Sequence, residues 1–186
     1  MPSLKRAVFT WVILYAVLPA FSSLNAYTTR QYVKLGSFEE ASRAIAAAGN
    51  DEQSQDLSEL VESIHQQVND FRRAQGRQPL RLNPIISAQA RQHSAQMARK
   101  GSAVTHVGFE DRLKRIGEQL PYRAGAENVA ASIGYENPAR TAVVGWKTSP
   151  GHRKNMLGDF TLTGIGIAQS GQGSYFITQI FLKASQ

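Results

Sequence analysis

Residues 149 to 157 read SPGHRKNML. His152 stands close to a serine, two cations and an asparagine, and an imidazole in that company can serve as a base toward Ser149 or toward a substrate hydroxyl. The same stretch has a purely local reading. Ser149 suits the N-cap of a short helix, Pro150 its first residue and His152 its third position, where a histidine bonds neighbouring backbone. Asn155 and Arg153 would then fix the loop that follows. The two roles, a base and a residue of a helix start, are compatible. Three further histidines occur, His65, His93 and His106. The chain has no cysteine, which excludes a disulfide framework, a thiolate zinc site and a cysteine nucleophile.

Positioning such groups requires a folded domain, and 186 residues with 42% apolar content suffice for one domain with some chain to spare. The net charge of +7 favours encounters with anionic partners, such as phosphate-bearing envelope polymers or membrane surfaces, over other kinds.

The chain opens with MPSLKR, followed by an uncharged, mostly apolar run from Ala7 to Phe21. A basic start and an apolar core are the pattern of a secretory leader. Small residues place cleavage after Ser22, with Ala26 as a second position, so residues 1–26 are expected to be a signal peptide and the protein to be secreted, extracellular or periplasmic. The alternative is an N-terminal membrane anchor, because no charge appears until Arg30. An exported chain of this size without cysteine points to a bacterial source.

Residues 27–56 are expected to hold a short helix and a polar linker. Ser37 and Glu40 have the spacing of a capping box, Gly49 would end the helix, and NDEQSQD at 50–56 has nothing to bury. Residues 57–186 form the main domain. Asp56 would cap a helix in which Leu57, Leu60, Val61, Ile64, Val68 and Phe71 share one face, and Gly76 would stop it. Asn83-Pro84 starts a second helix carrying Ile86, Ala90, His93 and Met97 on one stripe as far as Gly101. A third runs from Phe109 to Ile116, and a fourth from about Pro138 to Thr148. Short segments at 125–133, 161–168 and 174–182 read as strands, the last two joined by a turn at Gly171 to Gly173. The fold class expected is α+β: an α/β/α sandwich in which helices flank a small, mostly antiparallel central sheet. His93, on an apolar stripe, reads as a packed and hydrogen-bonded histidine. His65 receives no role. Gly164 and Gly166 read as points of close helix-on-sheet approach, and Arg72-Arg73 as a solvated helix face.

In this order, His106 after a helix, GAENVA at 125–130, GW at 145–146, SPGHRKNML, and GIGIA at 164–168 resemble the CAP superfamily of cysteine-rich secretory proteins, venom antigen 5 and plant pathogenesis-related proteins. The resemblance spans about residues 57–186 and is nearest to a cysteine-free bacterial branch. It implies an α/β/α sandwich with a central cleft, across which two histidines and acidic residues can hold a divalent cation. Carried onto this sequence, those are His106, His152 and Glu127, a set suited to zinc or another divalent cation. Asn128 and Ser149 complete the expected cleft. A second family glutamate, three residues after the helix tryptophan, has no match, because Ser149 stands three residues after Trp146. With one carboxylate fewer, cation affinity falls and a carboxylate acid/base pair is lost.

Three function classes follow from the resemblance. The first is a secreted binding module for an anionic envelope polymer, a lipid or another small apolar ligand, with a cation in its cleft. The second is a metal-assisted extracellular hydrolase. The third is a structural or host-interaction protein whose cleft is vestigial. The first is the expectation carried forward, because binding asks only for a concave cleft and a few converging polar groups. No nucleic acid partner is expected, and the chain is expected to be a monomer.

Overall fold

The structure is a computed structural model, and it describes residues 38–101 and 104–185. The expected leader and Ser37 of the expected capping box lie outside the described residues. Among those described, no helix is long and apolar enough to cross a membrane. Two compact units divide at Glu52 and Gln53. The first contributes only the opening turns of helix α1, Phe38–Ala74, to the described part. Apart from the course of α1, all that follows concerns the second.

Helix α1 departs from expectation. It runs unbroken through Gly49 and the segment 50–56, so no irregular linker separates a short helix from a longer one, and Asp56 lies inside the helix instead of capping it. The reason is propensity. Asp, Glu, Gln and Ser cost at most ~0.7 kcal/mol each in a helix and Gly ~1 kcal/mol. Extending a helix already formed is far easier than nucleating a new one. Polarity alone therefore did not break it. From Leu57 onward α1 buries the expected face, with Ile64 and Val68 fully enclosed, and Gly76 follows its end with a positive φ of 69°.

The remaining elements are β1 (Arg81–Leu82), α2 (Pro84–Lys100), α3 (Phe109–Gly117), β2 (Tyr122–Ser132), α4 (Pro138–Thr148), α5 (Pro150–Met156), β3 (Leu162–Gln169) and β4 (Tyr175–Ala184). The four strands lie in the order β1-β3-β4-β2. β4 pairs antiparallel with both β3 and β2, and the two-residue β1, too short to be read from sequence, joins β3 in parallel. Asn83 caps α2 by accepting from the amides of Ile85 and Ile86, with Pro84 at the first turn, and Gly101 closes it in the left-handed region.

Alternation along the strands builds two cores. Ile165, Ile167, Ile177 and Phe181 pack under α1 and α4, while Leu162, Ile180 and Leu182 pack under α2 and α3. This is the α/β/α sandwich. A Cβ at Gly164 would meet the backbone of Ile86 and Ser87, and one at Gly166 the backbone of Ala90 and Arg91, so both glycines let α2 lie directly on β3.

Arg72 corrects a second expectation. Its side chain is buried, not solvated, and its guanidinium donates to four carbonyls: Gln78 at 2.8 Å, Met156 at 2.6 Å, Gly158 at 3.0 Å and Phe160 at 3.2 Å. It ties the end of α1 to the loop that follows α5.

Candidate functional site

β2 is an edge strand, and successive residues of a strand face opposite sides. Glu127 therefore turns toward α3 and Asn128 toward α5. The histidines arrive from the two helical layers and meet around this edge. His106, in the loop before α3, and His152, on α5, have ring centroids 6.3 Å apart and tilted by 49°. His106 is about half exposed, its side chain retaining 53% of its accessible surface.

Glu127 does not stand open to this pair. Its side chain is 1% exposed, and Arg112 grips both oxygens, Nε donating to Oε2 at 2.9 Å and Nη2 to Oε1 at 2.8 Å. A buried carboxylate requires such a partner, because an unpaired buried charge is very costly. Arg112 also donates to the carbonyl of Val107 at 2.9 Å, which holds the loop carrying His106. His106 Nδ1 lies 3.0 Å from Glu127 Oε1. A carboxylate only accepts there, so Nδ1 carries the hydrogen, and in the neutral ring the lone pair is on Nε2. Glu127 is thus placed to orient His106, and Arg112 to orient Glu127.

Asn128 is fully buried and works on the other face. Its Nδ2 donates to the carbonyl of His152 at 3.2 Å, and its Oδ1 accepts from Asn155 Nδ2 at 3.0 Å. Asn155 also donates to the carbonyl of Glu127 at 3.1 Å. This amide pair docks α5 on β2 and so sets the position of the His152 ring. Asn128 is a positioning residue and not part of the cleft wall. Trp146 adds a second tie, its indole donating to the carbonyl of Val129 at 3.1 Å.

Ser149 is the residue between α4 and α5. Its carbonyl accepts from the amide of Arg153 at 2.8 Å, but its side chain makes no capping bond to α5, contrary to the sequence reading. Pro150 supplies the helix start instead, its ring setting the first helical φ. No bond links Ser149 to His152 among the described residues, so a serine nucleophile with an imidazole base is not assembled. His93 behaves as expected: it is 3% exposed, with Nε2 2.7 Å from the carbonyl of Thr105.

The electrostatics follow from this packing. Burial, and then the charge that a protonated His106 would bring, hold the His152 pKa below the ordinary histidine value, so the neutral ring is favoured. The Glu127 and Arg112 charges cancel. Among the described residues, no group of three or more histidine, aspartate and glutamate side chains converges so as to hold a metal ion. The expected trio of His106, Glu127 and His152 is not a ready ligand set, because both oxygens of Glu127 are engaged by a guanidinium. What the geometry leaves are two imidazoles.

The sequence reading missed Arg112. A signal for it exists: on α3, Phe109, Arg112, Leu113 and Ile116 follow helical spacing on one stripe, and Arg112 and Ile116 are both buried. An arginine on an apolar stripe asks for a buried anion, and Glu127 is that anion.

Known proteins share this arrangement of elements. The family model for CAP, the cysteine-rich secretory protein family, matches residues 65–181, well over half of the chain. The uncharacterized protein YkwD of Bacillus subtilis (strain 168) is 32% identical over 120 residues, covering 62% of this chain and 45% of its own length. Among solved structures, an extracellular protein containing an SCP domain from Bacillus anthracis superposes with a TM-score of 0.61 at 27% identity, covering 72% of this chain and 43% of that one. An outer surface protein of Borrelia burgdorferi superposes with a TM-score of 0.59 at 16% identity, covering 68% of this chain and 94% of its own, which speaks for the fold alone. This chain therefore spans less than half of both Bacillus relatives. It belongs to the CAP family, as a member without a cysteine of its own.

Proposed function

We propose that this is an exported binding domain whose cleft, centred on His106 and His152, takes up a component of the cell envelope. The observation that carries this reading is the pair of imidazoles facing each other at 6.3 Å around the edge of β2, with the neighbouring carboxylate, Glu127, held on both oxygens by Arg112. Glu127 is neutralised and buried, which removes it as a general acid or base, and Ser149 has no activating partner among the described residues. A hydrolase would have to draw its proton transfers from the same two rings that bind. A binding site has no such conflict.

The rim supports the reading. Val104 and Val107 flank His106 and are 41% and 79% exposed, an apolar edge beside a polar centre. Lys147 and Arg153 both stand over the Phe71 ring, at 5.1 and 4.8 Å, and add basic surface on the layer that carries His152. Together with the overall charge, these features favour an anionic envelope polymer over a neutral or basic partner.

A divalent cation such as zinc enters this proposal only through the imidazoles. His106 Nε2 and the neutral ring of His152 are the donors available, and Glu127 stands behind His106 as a carboxylate commonly stands behind a metal-bound histidine. Two protein ligands hold a cation weakly, with water in its remaining positions until donors from the envelope component replace it. Export follows from the apolar leader at 7–21.

The test is a comparison of the purified protein with its His152→Ala variant, each with added zinc. Co-sedimentation with isolated cell-wall polymer should be lost or reduced at least about tenfold in the variant, ~1.4 kcal/mol. Hydrolysis of peptide, ester and peptidoglycan substrates should be equal in the two. Zinc-dependent turnover that disappears in a folded His152→Ala protein would replace this reading with the hydrolase one.

A further inference from the structure

The segment from Val104 to Gly108 carries His106, and none of its residues is buried. Val104 and Val107 are exposed, and Thr105 is half-buried. Apolar packing therefore does not fix this segment, and hydrogen bonds to its backbone have to. It enters α3 through Gly108, which lies in the left-handed region at a φ of 76° and offers no side-chain cap. Two buried side chains reach its carbonyls from two different helices. Arg112, on α3, donates to Val107. His93, on α2, is the other: its Nε2 lies 2.7 Å from the carbonyl of Thr105, the residue before His106. A carbonyl only accepts, so Nε2 carries the hydrogen. The lone pair of the neutral ring is then on Nδ1, which is buried and finds no partner within the protein. An unpaired buried acceptor is a cost, and a leucine would fill the space without it. What distinguishes a histidine here is the donor.

We infer that His93 is a positioning residue for the His106–His152 centre: by holding the Thr105 carbonyl against α2 it keeps the His106 ring within reach of both Glu127 and His152, and so sets how tightly the centre takes a divalent cation. The tie reaches His106 through a short turn. The amide of Val107 donates to Thr105 Oγ1 at 3.1 Å and that of Phe109 to the His106 carbonyl at 3.0 Å, so displacing Thr105 displaces the residues that follow it. Arg112 alone would hold the segment from one side only. The inference rests on the reading of the two imidazoles as a binding centre for its effect on the cation, but not for the tie itself.

The experiment compares the whole chain with His93→Leu, which removes the donor, and His93→Gln, which keeps a donor nitrogen at a similar reach. Without zinc, NMR should show faster hydrogen exchange at the Phe109 amide and at His106 Nδ1 in His93→Leu, with the amides of Ile177 and Ile180 in β4 unchanged, and parent-like exchange in His93→Gln. With zinc, His93→Leu should need about tenfold more metal or beyond for the same rise in melting temperature, and His93→Gln should restore the parent response. A leucine variant that behaves as the parent, or a glutamine variant that behaves as the leucine one, would overturn the proposal. Should His93→Leu not fold, the ring nitrogens of the parent decide: a proton on Nε2 coupled across to the Thr105 carbonyl supports the tie, and a proton on Nδ1 overturns it. A parent that gains nothing from zinc would count against the cation in the proposed function, and the zinc-free exchange would still decide the role of His93.

Discussion

Arg112 holds both oxygens of Glu127 and a carbonyl of the loop bearing His106, so the position of one imidazole depends on a buried ion pair two side chains away. Breaking such a pair strands a charge. Arg112→Leu should therefore destabilise the protein by ~3–5 kcal/mol, and Arg112→Leu with Glu127→Leu should recover most of that loss, as urea unfolding of the three proteins would show. A double variant as unstable as the single one would mean that packing, not charge, governs the site. The pH dependence follows from His152 and His93, whose folded pKa values burial holds below the unfolded value of ~6.5. The unfolded chain then takes up these protons first as pH falls. Their contribution is complete above about pH 6.5 and is lost on acidification through the folded values, so the melting temperature should drop in that window, and less steeply in His152→Asn. The histidines and Glu127 were legible in the sequence as groups, but their division of labour was not. Alternation along β2 sends Glu127 and Asn128 to opposite faces, and only the third dimension shows which neighbour each meets.

Elements were legible where their ends carry local chemistry. Asn83-Pro84 and Gly101 bound α2 through a side-chain cap and a left-handed turn, both properties of single residues. Segment 50–56 misled because polarity predicts exposure, and an exposed helix is as polar as an exposed linker. β1 escaped because two residues have no periodicity; it exists only because β3 offers an edge. Arg72 escaped for the reason Arg112 did: a cation four residues beyond Val68 on a packed stripe is a buried donor, and three of its four carbonyl partners come from the end of α5 and the loop after it. Gly166 tests helix-on-sheet contact directly. Gly166→Ala would drive a methyl into the backbone of α2 and should cost ~3 kcal/mol or more, whereas Gly151→Ala, with open space around it inside α5, should be neutral or stabilise by up to ~1 kcal/mol. Thermal melts of the two variants compare them; equal effects would contradict the close approach.

At the scale of the molecule, both cores lie within Gln53–Gln186, so a chain beginning at Gln53 should unfold cooperatively with the same denaturant midpoint as the longer one, within error. The layers matter to function because each delivers one histidine to the edge of β2. The central claim is that His106 and His152 form one binding centre, with Glu127 acting through His106. The most direct measurement is the rise in melting temperature on adding zinc to the purified protein and to its His106→Ala, His152→Ala, double-alanine and Glu127→Gln forms at about pH 7.5. The parent should show a gain, all three histidine variants should lose it, and Glu127→Gln should need ~10–100-fold more zinc to show it. An undiminished gain in the double-alanine form would contradict it.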